Sequence, residues 1–540
     1  MYSNRILVLF SFLMVTICIM IVRIYGLSEG KWLSQAATNQ STYNLEISKN
    51  RGNIYDCNMQ PLVGRKETNI AAVFPSIDSS NKLCSILNKK EREQVLERSS
   101  YGKPFIMNLK DRTVISDDID VFRIPIRYSD YQLAPHIIGY LDNTRNGVAG
   151  IEKSYNDYLY QSGGGINVKY KVDAVNNILE GDKKKIDDTS YMNSKGVVLT
   201  LDSQIQEIAQ RAARKNLKKG AVIVTEVPTC KLKAIVSMPD YSQNYLSEAI
   251  ESSDAPLINR AFTPYNVGSI FKLVTASVAL ERGLDCEKIF ECDGHVDVEG
   301  KAFNCYNGSK HGKVNLSDAI AYSCNSYFVD ISKPLLPKDM IDFSKKFGFG
   351  ESIDLAPCLV SDAGNLPEVS SLYDKMTMAN FSFGQGEFLG TPLQVSGLIN
   401  AIASGGKYSK PQLVEGLVDE NLEFIQKEES SNPEKIISEK TTNILINAMK
   451  SSVEYGTSIR GKPENGVAAA KTATAETGIL KPDGTQVIQA WYAGFYPADN
   501  PKYSIVVLAE DGVGGGESCG PVFKQIVDDI YFQFPNYFNK

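Results

Sequence analysis

The chain has 540 residues, a length that predicts two or three domains, and its 43% hydrophobic and 22% charged residues are the balance of an ordinary globular protein. A net charge of −6 argues against an extended nucleic-acid surface, and ten cysteines in this length are too sparse for a disulfide scaffold. Only three histidines occur (His136, His295 and His311), so histidine-based catalysis has few candidates.

Residues 6–22 form an uninterrupted apolar or small-residue run, and Ile24-Tyr25 extend it past Arg23. Roughly twenty such residues span a bilayer, so the run predicts a membrane anchor over residues 1–30. Arg5 precedes it with a very short head, which favours an N-terminus on the cytoplasmic side. A cleaved signal peptide is the alternative, but the run is long for a signal core and no small-x-small site follows at once. No second run of this kind is present, which predicts a single-pass membrane protein with about 510 residues outside the cytoplasm.

From residue 31 to 195, short β-like runs alternate with polar turns, and no cluster of catalytic residue types appears. Arg51 to Asp56 and Asn58 to Leu62 read as strand, turn and strand, and Lys89 to Arg98 as a charged helix. His136 to Tyr140 reads as the start of a strand, Gly150 to Tyr155 as the start of a helix, and His136 as structural. The region is expected to be a pedestal.

The composition shifts at residue 196. Gly196 to Asp202 reads as a strand, with Asp202 capping a helix near Gln204 whose apolar stripe is Ile205, Ile208, Ala209 and Ala212. Gly220 to Val227 and Leu232 to Met238 read as a hairpin leading towards the stretch Val267 to Gly283. That stretch reads as a helix with small or apolar residues on nearly every face, hence buried, and Gly283 stands where a left-handed cap belongs. A lysine inside such a helix is costly unless its ammonium has a partner or its pKa falls. Lys272 lies three residues after Ser269, on the same face, and a desolvated lysine can take the proton of a serine nucleophile. Taken alone, Ser-x-x-Lys is a weak signal, and the pair reads more readily as an N-capping serine and a snorkelling lysine. Further helices are expected near 316–331, 338–347, 392–402 and 441–452. Strands are expected at 467–474, 490–496 and 503–510, with a terminal helix from about Val522.

Three short motifs fall on these elements in order: Ser269-x-x-Lys272, Ser323-Cys324-Asn325 and Lys471-Thr472-Ala473. Their order and spacing resemble the active-site motifs of penicillin-binding proteins and serine β-lactamases. Asn259-Arg260-Ala261, Phe383-Gly384-Gln385-Gly386, Thr391-Pro392-Leu393-Gln394 and Ala403-Ser404-Gly405-Gly406 agree, as does Lys410-Pro411. With the N-terminal anchor, Arg51-Gly52…Asp56 and His136 to Tyr140, the resemblance is to class B penicillin-binding proteins and covers nearly the whole chain.

The resemblance implies an α+β fold: a transpeptidase domain of antiparallel sheet and helices over 196–540, after a β-rich, dimerisation-type pedestal over 31–195 and one transmembrane helix. It implies a peptidoglycan D,D-transpeptidase acting outside the cytoplasm, with cell-wall stem peptides as substrates and β-lactams as ligands. A membrane glycan polymerase is expected as partner, since no segment here resembles a glycosyltransferase. Ser269 would be acylated, Lys272 would act as base, and Ser323 and Lys471 would relay the proton to the leaving amine. Asn325 would hold the substrate amide, and Lys471 and Thr472 the terminal carboxylate. The backbone N–H groups of Ser269 and Thr474 would form the oxyanion hole. The third motif usually ends in glycine. The methyl of Ala473 faces either the buried side or the groove, where it would crowd bulky β-lactams. A D,D-carboxypeptidase or a β-lactam-sensing receptor would share the motifs, whereas a silent wall-synthesis scaffold is disfavoured by their intact reactive residues.

Between and into the motifs runs Cys292-x12-Cys305-x5-His311-x12-Cys324, a complete tetrahedral zinc set at a spacing unlike a compact finger. Some class B members resemble this pattern and carry zinc there. The ion would be structural, with no cofactor needed for catalysis, and Asp293 or His295 could replace one ligand. The alternative is a Cys292–Cys305 disulfide with Cys324 a small buried residue and His311 on a surface loop.

Overall fold

The computed structural model describes residues 2–28, 42–49, 51–161, 164–172, 184–189, 195–481 and 484–535. The N-terminal run is one helix, Tyr2–Ser28, whose segment Asn4–Gly26 is long and apolar enough to cross a membrane, with its side chains unburied by the rest of the chain. Contacts divide the chain into two units, one of Met1–Arg51, Lys66–Ile126 and Gly163–Asn193, the other of Gly52–Arg65, Arg127–Ser162 and Ser194–Lys540.

The first unit holds two antiparallel sheets of three strands each. In one, Lys66–Val73 lies between Phe105–Lys110 and Ile119–Ile126; in the other, Gly165–Lys171 lies between Thr42–Lys49 and Lys185–Asp188. Helices Ile77–Ile86 and Lys89–Ser100 each begin in a capping box, on Ser76 and Asn88, which satisfies backbone N–H groups that the first turn leaves unpaired.

The second unit is built on a five-stranded antiparallel sheet in the order Leu232–Met238, Gly220–Glu226, Tyr503–Glu510, Gln486–Tyr496, Ala469–Leu480. Its central strands are apolar at successive positions because both faces are covered. Ala473, Trp491, Val506 and Leu508 join the core around the helix Lys272–Glu281. Ala470, Tyr492, Ile505 and Val507 pack in a second core with helices Ser203–Asn216 and Gly520–Gln533. Asp202 caps the first of these as expected, Oδ1 accepting from the N–H groups of Gln204 and Ile205. A second sheet, in the order Phe424–Lys427, Val414–Val418, Gly196–Leu199, Asn53–Tyr55, takes its last strand from far upstream and in parallel.

Three expectations about elements need correction. His136 lies in a short helix, Pro135–Ile138, rather than starting a strand; its Nε2 is 2.6 Å from the Pro256 carbonyl, a structural role. The helix expected over 316–331 is two helices, Leu316–Ala321 and Asn325–Ser332, broken where Ser323 adopts φ +61°. The Ser269 stretch begins as a single 3-10 turn, Gly268–Phe271, and becomes α-helical only at Lys272. Gly283 does take the left-handed cap, at φ +89°.

Candidate active site

The 3-10 turn decides the local geometry. With three residues per turn, Ser269 and Lys272 eclipse one another along the turn axis. Gly268 enters the turn at φ +57°, and a Cβ there would stand 3.0 Å from Ala475 Cβ and 3.4 Å from Ala473 Cβ. Glycine therefore lets the turn lie flat on the strand carrying the third motif. Gly268 N also donates to Gly384 O at 3.1 Å, and a Cβ on Gly384 would meet Gly268 O at 2.1 Å, so the Phe383–Gly386 stretch closes on the turn from another side.

Ser269 is half-buried, whereas Lys272 is 0% exposed. Lys272 Nζ lies 2.7 Å from Ser323 O, 2.7 Å from Asn325 Oδ1 and 3.2 Å from Ser323 Oγ, and sits over the Phe328 ring. The structure thus joins the first two motifs through the lysine. Burial pulls its pKa down to about 8. Two of its neighbours, a backbone carbonyl and an amide oxygen, are acceptors only. A neutral amine that donates its two protons to them keeps its lone pair for a hydroxyl. The Ser269 hydroxyl makes no hydrogen bond to another side chain among the described residues.

The break between the helices Leu316–Ala321 and Asn325–Ser332 lies at the same place. Ser323, held in the left-handed region, turns its carbonyl and its Oγ towards Lys272. Cys324 follows as the cap of the next helix, its Sγ accepting from Tyr327 N at 3.4 Å while its own N–H donates to Ala319 O at 2.9 Å. Asn325 spends Oδ1 on Lys272 and one amide proton on Asn304 O at 2.9 Å, and its second amide proton has no partner among the described residues.

The third motif lies on the strand Ala469–Leu480, the edge of the five-stranded sheet. Lys471 is fully buried, its Nζ 2.8 Å from Thr472 O; burial first, and the charge of Lys272 second, hold its pKa well below the usual lysine range. Ala473 is 2% exposed with its methyl facing Gly268, so the alternative left open by the sequence is resolved: the methyl points to the buried side. Thr472 turns the other way, and its Oγ1 donates to Thr457 Oγ1 at 2.7 Å. Thr474 Oγ1 accepts from Gly515 N at 3.3 Å. Sequence reading missed Thr457, Asn304 and Phe328; none belongs to a motif, and Gly456-Thr457 reads only as a turn after a helix.

The cysteine-histidine window is also brought together. Ligand atoms of Cys292, Cys305, His311 and Cys324 all lie within 4.8 Å of one another, and Asp293 and His295 are not in the group. Sγ of Cys305 is 3.7 Å from that of Cys292 and 3.8 Å from that of Cys324, and His311 Nδ1 is 3.4 Å from Cys292 Sγ. A tetrahedral ion with Zn–S bonds of about 2.3 Å sets its sulfurs about 3.8 Å apart, so the donor set fits zinc in type and spacing. The Cys292 and Cys305 sulfurs are too far apart for a disulfide, whose bond is about 2.05 Å. The Cys324 thiol, as donor, holds Cys305 well below the ordinary thiol range, and Cys305 in turn raises His311.

Residues 220–528 match the family model of the penicillin-binding protein transpeptidase domain, and the chain belongs to that family. Its organisation is that of a class B penicillin-binding protein. Stage V sporulation protein D of Bacillus subtilis is 26% identical over 93% of this chain and 81% of its own length. The peptidoglycan D,D-transpeptidase FtsI of Buchnera aphidicola is 25% identical over 98% and 95%. Among solved structures, a penicillin-binding protein 3 complexed with aztreonam, from Mycobacterium tuberculosis, has a TM-score of 0.65 at 21% identity, covering 91% of this chain and 97% of that one. A chain of a peptidoglycan synthase complex that coordinates polymerization and crosslinking reaches a TM-score of 0.69 at 21% identity, covering 97% and 98%.

Proposed function

We propose that this chain is a serine D,D-transpeptidase that cross-links peptidoglycan stem peptides through an acyl-enzyme on Ser269. The observation that carries the reading is the contact set of Lys272. A fully buried amine with a pKa of about 8, two acceptor-only neighbours and a serine one 3-10 turn away is arranged as a general base.

In this reading Ser269 Oγ attacks the carbonyl of the penultimate D-alanine of a D-Ala-D-Ala terminus. Its proton passes to Lys272, and the C–N bond to the terminal D-alanine breaks. Ser323 Oγ, in contact with Lys272 Nζ, and Lys471 would relay a proton to the leaving amine. An amine of a second stem then attacks the ester, giving up a proton by the same route, and Ser269 is regenerated. The N–H groups of Ser269 and Thr474 would stabilise the oxyanion, which the seating of Gly268 against residues 473–475 favours. An edge strand offers free backbone groups to an extended peptide, Asn325 offers its second amide proton, and Thr472 and Lys471 suit a terminal carboxylate. With Ala473 buried, bulky β-lactams meet no added methyl.

Zinc on Cys292, Cys305, His311 and Cys324 would be structural, since four protein ligands leave no open position. These residues would hold the base of the Cys292–Cys305 loop and fix Cys324 between the two polar residues of the second motif. The helix Asn4–Gly26 would anchor the chain in the cell membrane, with the catalytic unit outside the cytoplasm. The similar penicillin-binding protein 3 complexed with aztreonam and the similar peptidoglycan synthase complex that coordinates polymerization and crosslinking support β-lactams as ligands and a glycan polymerase as partner. The test is reaction of the full chain with a D-Ala-D-Ala-ended peptide and an amine acceptor. D-alanine release with a cross-linked product, absent in Ser269→Ala, is expected; release with only hydrolysed peptide would make it a carboxypeptidase.

A further inference from the structure

The helix Glu439–Glu454 ends in Tyr455-Gly456-Thr457-Ser458, a turn with no place in the three motifs. It is held unusually firmly. A Cβ on Gly456 would stand 2.3 Å from Ala321 O, and Thr457 N donates to that same carbonyl at 3.0 Å. Ser458 Oγ is 2.7 Å from Ser452 Oγ, and Ser458 O accepts from Tyr492 OH at 2.8 Å. Thr457 is therefore fixed to the backbone two residues before Ser323, while its side chain meets Thr472 of the third motif.

We propose that Thr457 is a positioning residue for substrate: it fixes the Thr472 hydroxyl and readies it as a donor to the ligand carboxylate. The inference rests on the reading of Thr472 as a carboxylate-binding group. In the ligand-free chain Thr472 Oγ1 donates to Thr457 Oγ1 at 2.7 Å. When a carboxylate arrives, the Thr472 proton rotates to it and the Thr457 hydroxyl turns to donate its own proton into Thr472, so both hydroxyls stay paired. A hydroxyl that accepts one hydrogen bond is polarised towards donating another. Valine at 457 keeps the shape and removes the partner. Thr472 is 4% exposed, and its hydroxyl then loses its side-chain partner in a largely buried setting.

The experiment is acylation kinetics of the full chain with benzylpenicillin, which carries a carboxylate, for wild type, Thr457→Val, Thr457→Ser, Thr472→Val and the double Val variant, with thermal melts of each. Thr457→Val is expected to lower the second-order acylation rate about tenfold, mainly by raising the concentration for half-saturation, and Thr457→Ser to restore it. On the Thr472→Val background the Thr457→Val change should cost nothing further, because the pair acts as one unit. The proposal is overturned if Thr457→Val reacts like wild type, if its loss recurs in full without the Thr472 hydroxyl, or if Thr457→Ser is no better than Thr457→Val. Should Thr457→Val fail to fold, Thr457→Ala against Thr457→Ser gives the same comparison. A wild-type chain that is not acylated would instead remove the transpeptidase reading itself.

Discussion

In the proposed mechanism Lys272 governs the chemistry at the scale of single residues, and the sign of its pH dependence follows from its burial. Desolvation lowers its pKa to about 8, against an ordinary lysine value of 10.5. Below that value the ammonium has no lone pair for the Ser269 proton. The second-order rate of acylation should therefore fall about tenfold for each pH unit below 8, and level off above it. Rates with benzylpenicillin between pH 6 and 9.5 check this; a flat profile would assign the base elsewhere. Part of this was legible beforehand. A lysine at an apolar face has to be paired or neutral, and the spacing to Ser269 reads directly from the chain. What could not be read was that the acceptors of Lys272 are Ser323 O and Asn325 Oδ1, because both depend on a left-handed Ser323 that no local signal announces.

Among the elements, the 3-10 turn and the edge strand meet at Gly268. Replacing it with alanine imposes a left-handed φ on a residue with a Cβ and brings that Cβ to 3.0 Å from Ala475 Cβ. Gly268→Ala should cost about 1–2 kcal/mol from the backbone alone, lower the melting temperature, and slow acylation by displacing Ser269. Ala473→Gly in that background should recover only part, since the φ strain persists. Ala473→Gly by itself should leave the ratio of acylation rates for bulky and compact β-lactams unchanged, because the methyl faces Gly268. A selective gain for bulky compounds would place the methyl in the groove after all. The continuous helix expected over 316–331 shows why element reading fell short there: the apolar spacing carries across the break, and only the capping of Asn325–Ser332 by the Cys324 sulfur reveals the restart.

At the level of the whole molecule, the catalytic unit gathers segments 52–65 and 127–162 with 194–540. Sequence order gave no sign of that, since the parallel pairing of Asn53–Tyr55 with Gly196–Leu199 joins residues far apart in the chain. The strands and helices of the five-stranded sheet were legible because alternation and apolar runs decide them locally. The Cys292, Cys305, His311 and Cys324 set was legible as a composition, and folding brings its four candidate ligand atoms within 4.8 Å. Metal analysis of the purified chain should find about one zinc per molecule, and strong chelation should lower the melting temperature by several degrees, as structural zinc contributes directly to folding. Cys305→Ser should lose the metal; metal-free protein with unchanged melting would end the assignment.

The central claim is that Ser269 is a nucleophile activated by Lys272. Labelling of the full chain with a fluorescent penicillin, followed by peptide mapping, tests it most directly. The label should sit on Ser269, vanish in Ser269→Ala, and form far more slowly in Lys272→Met despite a folded protein. Labelling that persists in Ser269→Ala, or none in the wild type, would contradict it.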